Sequence, residues 1–191
     1  MNNENIELYP QDKILEKTIL RLIPKKVTPN HVTILRFLLT PLVVWAIIEE
    51  KNFFGFFLFL FTASTDAIDG AMARTRKQIT EWGKIYDPVA DKLLIGSAAF
   101  LLISKYLNFY LALAIISIEI LLIVNGGRQK INGGIVEANN WGKTKMILQV
   151  AGVGFIFIFL LTKLPFLIIL SWVILVAAII TGLISLFTYS I

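Results

Sequence analysis

Cysteine is absent from the 191 residues, and histidine occurs once, at His31. Disulfides and thiolate metal sites are therefore excluded, and a zinc centre lacks the ligands it needs. Charge is also scarce: Asp, Glu, Lys and Arg make up 16% of the chain, with 18 basic residues against 13 acidic ones. Internal repeats and low-complexity stretches are missing. The remainder is oily. Hydrophobic residues reach 57% and mean hydropathy is +0.75, too apolar for an ordinary soluble domain and suited to a polytopic membrane protein.

A helix that crosses a bilayer needs about 20 apolar residues. Spans are expected at 33–49, 53–74, 88–104, 107–126, 143–162 and 165–188, giving one all-α membrane domain over 1–191. Six transmembrane helices would then occupy 33–188, with Leu164-Pro165-Phe166 as a tight hairpin between the last two. The opening MNNENIELYPQDKILEKTIL is polar, and no cleavable signal peptide is expected. Within it, Ile14, Leu15, Ile19, Leu22 and Ile23 recur at helical spacing, with Lys13, Glu16, Lys17 and Arg21 between them. That pattern predicts an amphipathic helix over 11–24 lying on the membrane surface, the alternative being a frayed polar arm.

Basic residues cluster on one side of this layout: before the first span, around Arg74 to Lys84, and from Arg128 to Lys145. The other side has Lys51, Lys105 and Lys163. The excess of Lys and Arg predicts that the first side, with both termini, is cytoplasmic. The cytoplasmic membrane is the expected location.

Four aspartates stand out against the oil. Asp66 and Asp69 are three apart at the end of the second span, and Asp87 and Asp91 are four apart at the start of the third. Each pair shares a helix face, and the loop between them can bring the two faces together. Converging carboxylates persist in an apolar setting when they are paired or bind something. Hard oxygen donors at this density suit Mg²⁺, Mn²⁺ or Ca²⁺. Gly70 and Ala73, one turn after the first pair, and Gly83, four before Asp87, leave room for a ligand against the helix backbone. Arg74 and Lys92 put positive charge beside the acids, as a metal-bound phosphate would require. The plainer readings are close helix packing for the small residues and a cation pathway for the acids. A cation transporter is thus the alternative from another class.

The run Asp66-x2-Asp69-Gly70-x2-Ala73-Arg74-x8-Gly83-x3-Asp87-x3-Asp91 resembles, at every fixed position, the signature of the CDP-alcohol phosphatidyltransferase family. The resemblance implies transfer of a phosphatidyl group from a CDP-linked lipid to an alcohol, with release of CMP. It implies that Asp66, Asp69 and Asp87 are metal ligands for Mg²⁺ or Mn²⁺, as a pair of ions. Asp91 would be the general base for the acceptor hydroxyl and would also touch a metal. Gly70, Ala73 and Arg74 would contact the CDP-lipid, as would Thr80, for which simple solvation is the plainer reading. The segment VTPNHVTILR resembles the family's opening of the first span, which makes Asn30 and Thr33 nucleotide contacts. Asn30 can equally be a helix cap. Arg36, a charge just inside a membrane helix, is expected to face the polar pocket, and His31 reads as an interfacial residue.

The acceptor should be read from the fourth and fifth spans. Glu119 is a lone acid in the fourth, expected to face the cavity or pair with a base, for which Arg128 is a candidate. Lys143 and Lys145 open the fifth span, where the helix dipole also favours an anion, so Arg128, Lys143 and Lys145 form a candidate acceptor-phosphate site. Lysine snorkelling is the plainer reading. Gly142-Lys143-x-Lys145-x3-Gln149 resembles the matching stretch of the phosphatidylglycerophosphate synthases, which implies sn-glycerol 3-phosphate as acceptor. Ile118 stands where those proteins often carry an Arg before the Glu, and an inositol phosphate acceptor stays open. Homodimerisation is implied by the family likeness, and nothing points to nucleic acid.

Overall fold

The computed structural model describes residues 9–24, 26–131 and 140–188. Among the described residues every regular element is a helix: α1 (Pro10–Lys17), α2 (Pro29–Ile48), α3 (Asn52–Thr75), α4 (Glu81–Tyr106), α5 (Phe109–Ile131), α6 (Asn140–Thr162) and α7 (Pro165–Thr188). Five stretches are long and apolar enough to cross a membrane: α2, α3, Phe109–Gly126 of α5, α6 and α7. The third expected span does not meet that standard by itself. In α4 the uncharged run Leu93–Ser104 is 12 residues, about 18 Å at about 1.5 Å per residue, short of a hydrocarbon core of about 30 Å.

The helix ends have local causes. Glu50, Lys77 and Lys163 adopt positive φ just past α2, α3 and α6, the left-handed stop that reverses the chain. The Lys51 and Gln78 amides then reach back to the Ala46 and Ala73 carbonyls at 2.9 Å. Asn108 starts α5 by accepting the Tyr110 and Leu111 amides at 2.8 and 3.2 Å.

The chain forms two compact units. One comprises Met1–Trp45 and Phe57–Leu94, and the other comprises Ala46–Phe56 and Ile95–Ile191. In the first, Leu20, Val32, Ala71 and Met72 form a buried cluster, with Leu15, Ile23, Val27 and Ile68 against it. The N-terminal helix is shorter than the 11–24 expected from its apolar spacing: regular helix stops at Lys17, and 18–22 form turns. Beyond the helix, Arg76 braces the segment: its guanidinium donates to the carbonyls of Leu20, Ile23 and Val27 at 3.0, 2.8 and 3.1 Å. The apolar residues split accordingly, with Leu20 buried in the cluster and Leu22 exposed.

In the second unit α7 packs on α6 and α5. Gly152 makes this possible, since a Cβ there would fall 2.6 Å from Leu175, and the Ser171 hydroxyl donates to the Gly152 carbonyl at 2.8 Å. The Gly55 backbone lies close to Phe157 and Ala46.

Candidate active site

One face of α2 organises the polar centre of the first unit. Pro29 takes the first helical position, so the cap falls on Thr28 rather than Asn30. The His31 ring accepts from the Thr28 amide at 3.1 Å, giving the only histidine a structural task at the helix start. Asn30, Thr33 and Arg36 follow at intervals of three along α2. Arg36 is fully buried. Its guanidinium donates to the Thr65 hydroxyl at 3.1 Å, to Asp66 Oδ1 at 3.2 Å and to Asp69 Oδ2 at 2.6 Å. Thr33, also buried, donates to Asp87 Oδ1. The two carboxylates of α3 and the first aspartate of α4 are thereby tied to one side of α2.

Asp66 and Asp69 differ in setting. The Asp69 side chain is 2% exposed, whereas that of Asp66 is 42% exposed and faces outward from the pair. Arg36 is the shared counter-charge, and a guanidinium suits that task because its N–H groups fork towards two acids at once. Asp91 is buried one turn after Asp87, and Lys92 beside it is half-buried. Among the described residues no three Asp, Glu or His side chains stand close enough together to hold a metal ion. Asp66, Asp69 and Asp87 share a neighbourhood built on Arg36 and Thr33, with Asp91 one turn further along α4.

At the start of α4, the exposed Thr80 is the N-cap. Its hydroxyl accepts the Gly83 amide at 2.9 Å and donates to Asn30 Oδ1 at 2.8 Å. A Cβ on Gly83 would meet Thr80 Oγ1 at 3.1 Å, Asp87 Oδ2 at 3.2 Å and Asn30 Oδ1 at 3.4 Å. Glycine therefore keeps open a spot ringed by three oxygens. Trp82 and Tyr86 stack on the same helix, centroids 4.5 Å apart.

Arg74 closes the α3 side. Its Nε and Nη2 donate to Asp12 Oδ2 and Oδ1, both at 2.8 Å, and the guanidinium lies over the Tyr9 ring at 5.2 Å. The Arg74 hydrogen bonds hold the Asp12 carboxyl below its ordinary range, helped by the Tyr9 amide. Gly70 sits under the guanidinium, where a Cβ would lie 3.3 Å from Nη1 and Nη2. Ala73 is half-buried, and its carbonyl closes the α3 stop. Asp12 was not legible as a site residue by motif. The signal was its position: it shares the apolar stripe with Leu15 and Ile19, where an acid implies a buried partner.

The acceptor candidates lie in the second unit. Glu119 pairs with Lys145, not Arg128, and both side chains are largely buried. Gly182 and Ile118 pack around the pair's stem, since a Gly182 Cβ would be 2.8 Å from Ile118 and 3.3 Å from Lys145 Cδ. Gln149 is buried one turn on. Lys143 and Arg128 are exposed. Lys145 is therefore separated in environment from the two cations with which it was grouped.

The family model for CDP-alcohol phosphatidyltransferase matches residues 26–184. The chain belongs to the CDP-alcohol phosphatidyltransferase family. With five helices fit to cross a membrane, this family member is an integral membrane protein. Similar proteins include three named CDP-diacylglycerol–glycerol-3-phosphate 3-phosphatidyltransferase. The Bacillus subtilis protein is 33% identical over 156 residues, covering 72% of this chain and 78% of its own. The Haemophilus influenzae protein is 32% identical over 134 residues, 66% of this chain and 72% of its own. The Rickettsia felis protein is 38% identical over 80 residues, 40% of this chain and 44% of its own. The match thus spans less than half the length of the Rickettsia relative.

Proposed function

We propose that this phosphatidyltransferase moves a phosphatidyl group from CDP-diacylglycerol to sn-glycerol 3-phosphate, giving phosphatidylglycerol phosphate and CMP. One observation carries the chemistry: Arg36 and Thr33, one turn apart on α2, gather Asp66, Asp69 and Asp87 from two other helices. The names of the similar proteins support the acceptor.

The residues that would hold Mg²⁺ or Mn²⁺, as a pair of ions, are Asp66, Asp69, Asp87 and Asp91. Their all-oxygen donor chemistry fits those hard cations. When bound, the ions neutralise the diphosphate and stabilise the CMP leaving group. The acceptor hydroxyl oxygen attacks the phosphatidyl phosphorus, the phosphorus–oxygen bond to CMP breaks, and Asp91 takes the hydroxyl proton. Arg36 holds the two α3 acids aimed before substrate arrives. The oxygen-ringed opening at Gly83 and the uncovered backbone at Gly70 suit close approach of the CDP-lipid, with Asn30, Thr33, Ala73, Arg74 and Thr80 around it. Lys143 and Arg128 are the exposed cations for the acceptor phosphate, and Lys145 with Glu119 fixes the α5–α6 contact near them in sequence. A cation pathway is the weaker reading, because Arg36 already fills the space between Asp66 and Asp69 with positive charge.

In the same reading α4 is the sixth span. Its 26 residues are about 39 Å long, and its charged first turns lie in the polar centre. The basic side and the site face the cytoplasm, α1 lies at that surface, and the protein is a homodimer of the cytoplasmic membrane.

The test is CMP release by purified protein in detergent from CDP-diacylglycerol with Mg²⁺, against glycerol 3-phosphate, inositol phosphate, inositol and serine. Release with glycerol 3-phosphate alone is expected. Release with inositol phosphate alone would keep the mechanism and replace the acceptor. Silence throughout, with cation flux in vesicles, would replace the mechanism.

A further inference from the structure

Arg74 is joined to the N-terminal helix by more than proximity. Asp12 is fully buried and accepts three donors: the Tyr9 amide at 3.0 Å, Arg74 Nε at 2.8 Å and Arg74 Nη2 at 2.8 Å. A guanidinium has five N–H donors. Those used by Asp12 lie on the Nε–Nη2 edge, which leaves both protons of Nη1 and the second proton of Nη2. The side chain keeps 27% exposure, so the far edge is reachable. Asp66, Gly70 and Arg74 stand four apart on one face of α3, and Gly70 has no side chain to cover the guanidinium. The outward-facing acid and the remaining arginine donors thus lie along one open strip of helix.

The ordinary explanation of such a pair is an anchor for the N-terminal segment. That segment already has two other anchors. Arg76 binds three of its carbonyls within 3.1 Å, and Leu15, Leu20 and Ile23 pack with Val32, Ala71 and Met72. Neither contact involves Asp12. A buried bidentate acid is therefore surplus to holding the segment, but it does set the plane and rotation of the arginine.

We propose that Asp12 is a positioning residue: it holds the Arg74 guanidinium with Nη1 presented along the Asp66–Gly70 strip, for a diphosphate oxygen of the CDP-linked substrate. This rests on the CDP-lipid reading above. An arginine held in advance loses less freedom when it binds an anion, so Asp12 contributes to nucleotide affinity without touching the nucleotide.

The experiment is equilibrium binding of CDP, with Mg²⁺, to the full chain in detergent, together with thermal unfolding. Asp12→Asn keeps the shape and removes the charge. CDP binding is expected to weaken about tenfold, the scale of one charge-assisted hydrogen bond, beside the fall in Tm that loss of the pair brings. Arg76→Gln should lower Tm as well but leave CDP affinity alone. In an Arg74→Lys background, Asp12→Asn should weaken binding no further. Unchanged affinity in Asp12→Asn, or failure of that variant to fold, would make the pair an anchor and overturn the proposal. Wild-type protein that does not bind CDP would instead remove the CDP-lipid reading and this proposal with it.

Discussion

Replacing Arg36 by methionine should expose what the buried guanidinium does. The change keeps an apolar stem of similar length and removes the charge. Asp69 would then be a carboxylate 2% exposed to solvent with its closest counter-ion gone. Breaking a buried pair by removing one partner costs about 3–5 kcal/mol, because the other charge is stranded. Asp66 adds little, since it is 42% exposed and water screens it. The low end, about 3 kcal/mol, is therefore expected, and in a chain of this size that lowers Tm by roughly 6–12 °C. Thermal unfolding in detergent, with chelator present, measures it. The control is Arg36→Met combined with Asp69→Leu, which removes both charges and should regain most of the lost Tm. Mg²⁺ should also raise the Tm of Arg36→Met more than that of the wild type, by supplying the missing positive charge. If the single variant is no less stable than the double, Asp69 does not depend on Arg36, and the account of the site's electrostatics is wrong.

Other outcomes follow from the same geometry. Asp91→Asn should abolish CMP release while CDP binding survives, and measurable turnover in that variant would remove Asp91 as the base. Gly83→Ala would gain about 1 kcal/mol of helix propensity and lose a similar amount to crowding against Thr80 and Asp87, so Tm should barely move. Its turnover should nevertheless fall about tenfold or more, because Thr80 cannot retreat without giving up its cap. An active Gly83→Ala would mean that nothing needs the space at that opening. Asp12 gives a pH signature. Arg74 lowers its folded pKa, so the stability it contributes is present above the ordinary aspartate value of 3.8 and is lost as pH falls through the depressed value. The Tm gap between wild type and Asp12→Asn should shrink as pH is lowered from about 6 to about 3, and a gap that widens would contradict the pairing.

Five of the six expected spans were legible because their apolar runs end at strong punctuation. Glu49-Glu50-Lys51 closes α2, Lys163-Leu164-Pro165 separates α6 from α7, and each end lies within a few residues of expectation. Apolar periodicity reports only the oily part of a helix, however. It placed the third span at 88, while α4 starts at Glu81, because Thr80 caps it through the Gly83 amide. The opposite error occurred at the N-terminus, where the spacing over 11–24 is helical but the helix ends at Lys17. The carbonyls of Leu20 and Ile23 beyond it are held by Arg76, more than fifty residues away, and no local pattern announces that contact. Thr28 as the α2 cap was recoverable, since a proline favours the first helical position and places the cap one residue earlier.

What motif reading conveys least is how the acids are kept apart until they are used. Four aspartates at fixed spacing say that carboxylates are required, but not that one arginine and one threonine from α2 each hold their share. Arg36 divides its donors between Asp66 and Asp69, and Thr33 takes Asp87, so neighbouring acids are prevented from simply repelling. The same device recurs in the second unit, where Glu119 is matched by Lys145 from another helix. An unmatched charge in an apolar helix is costly, so such charges act as instructions for which helices must meet. Thus the first-span arginine, outside the Asp66–Asp91 run, is as necessary to the site as the run itself. An acid-only transplant of Asp66, Asp69, Asp87 and Asp91 into another apolar hairpin would lack Arg36 and Thr33, the partners that hold three of those acids.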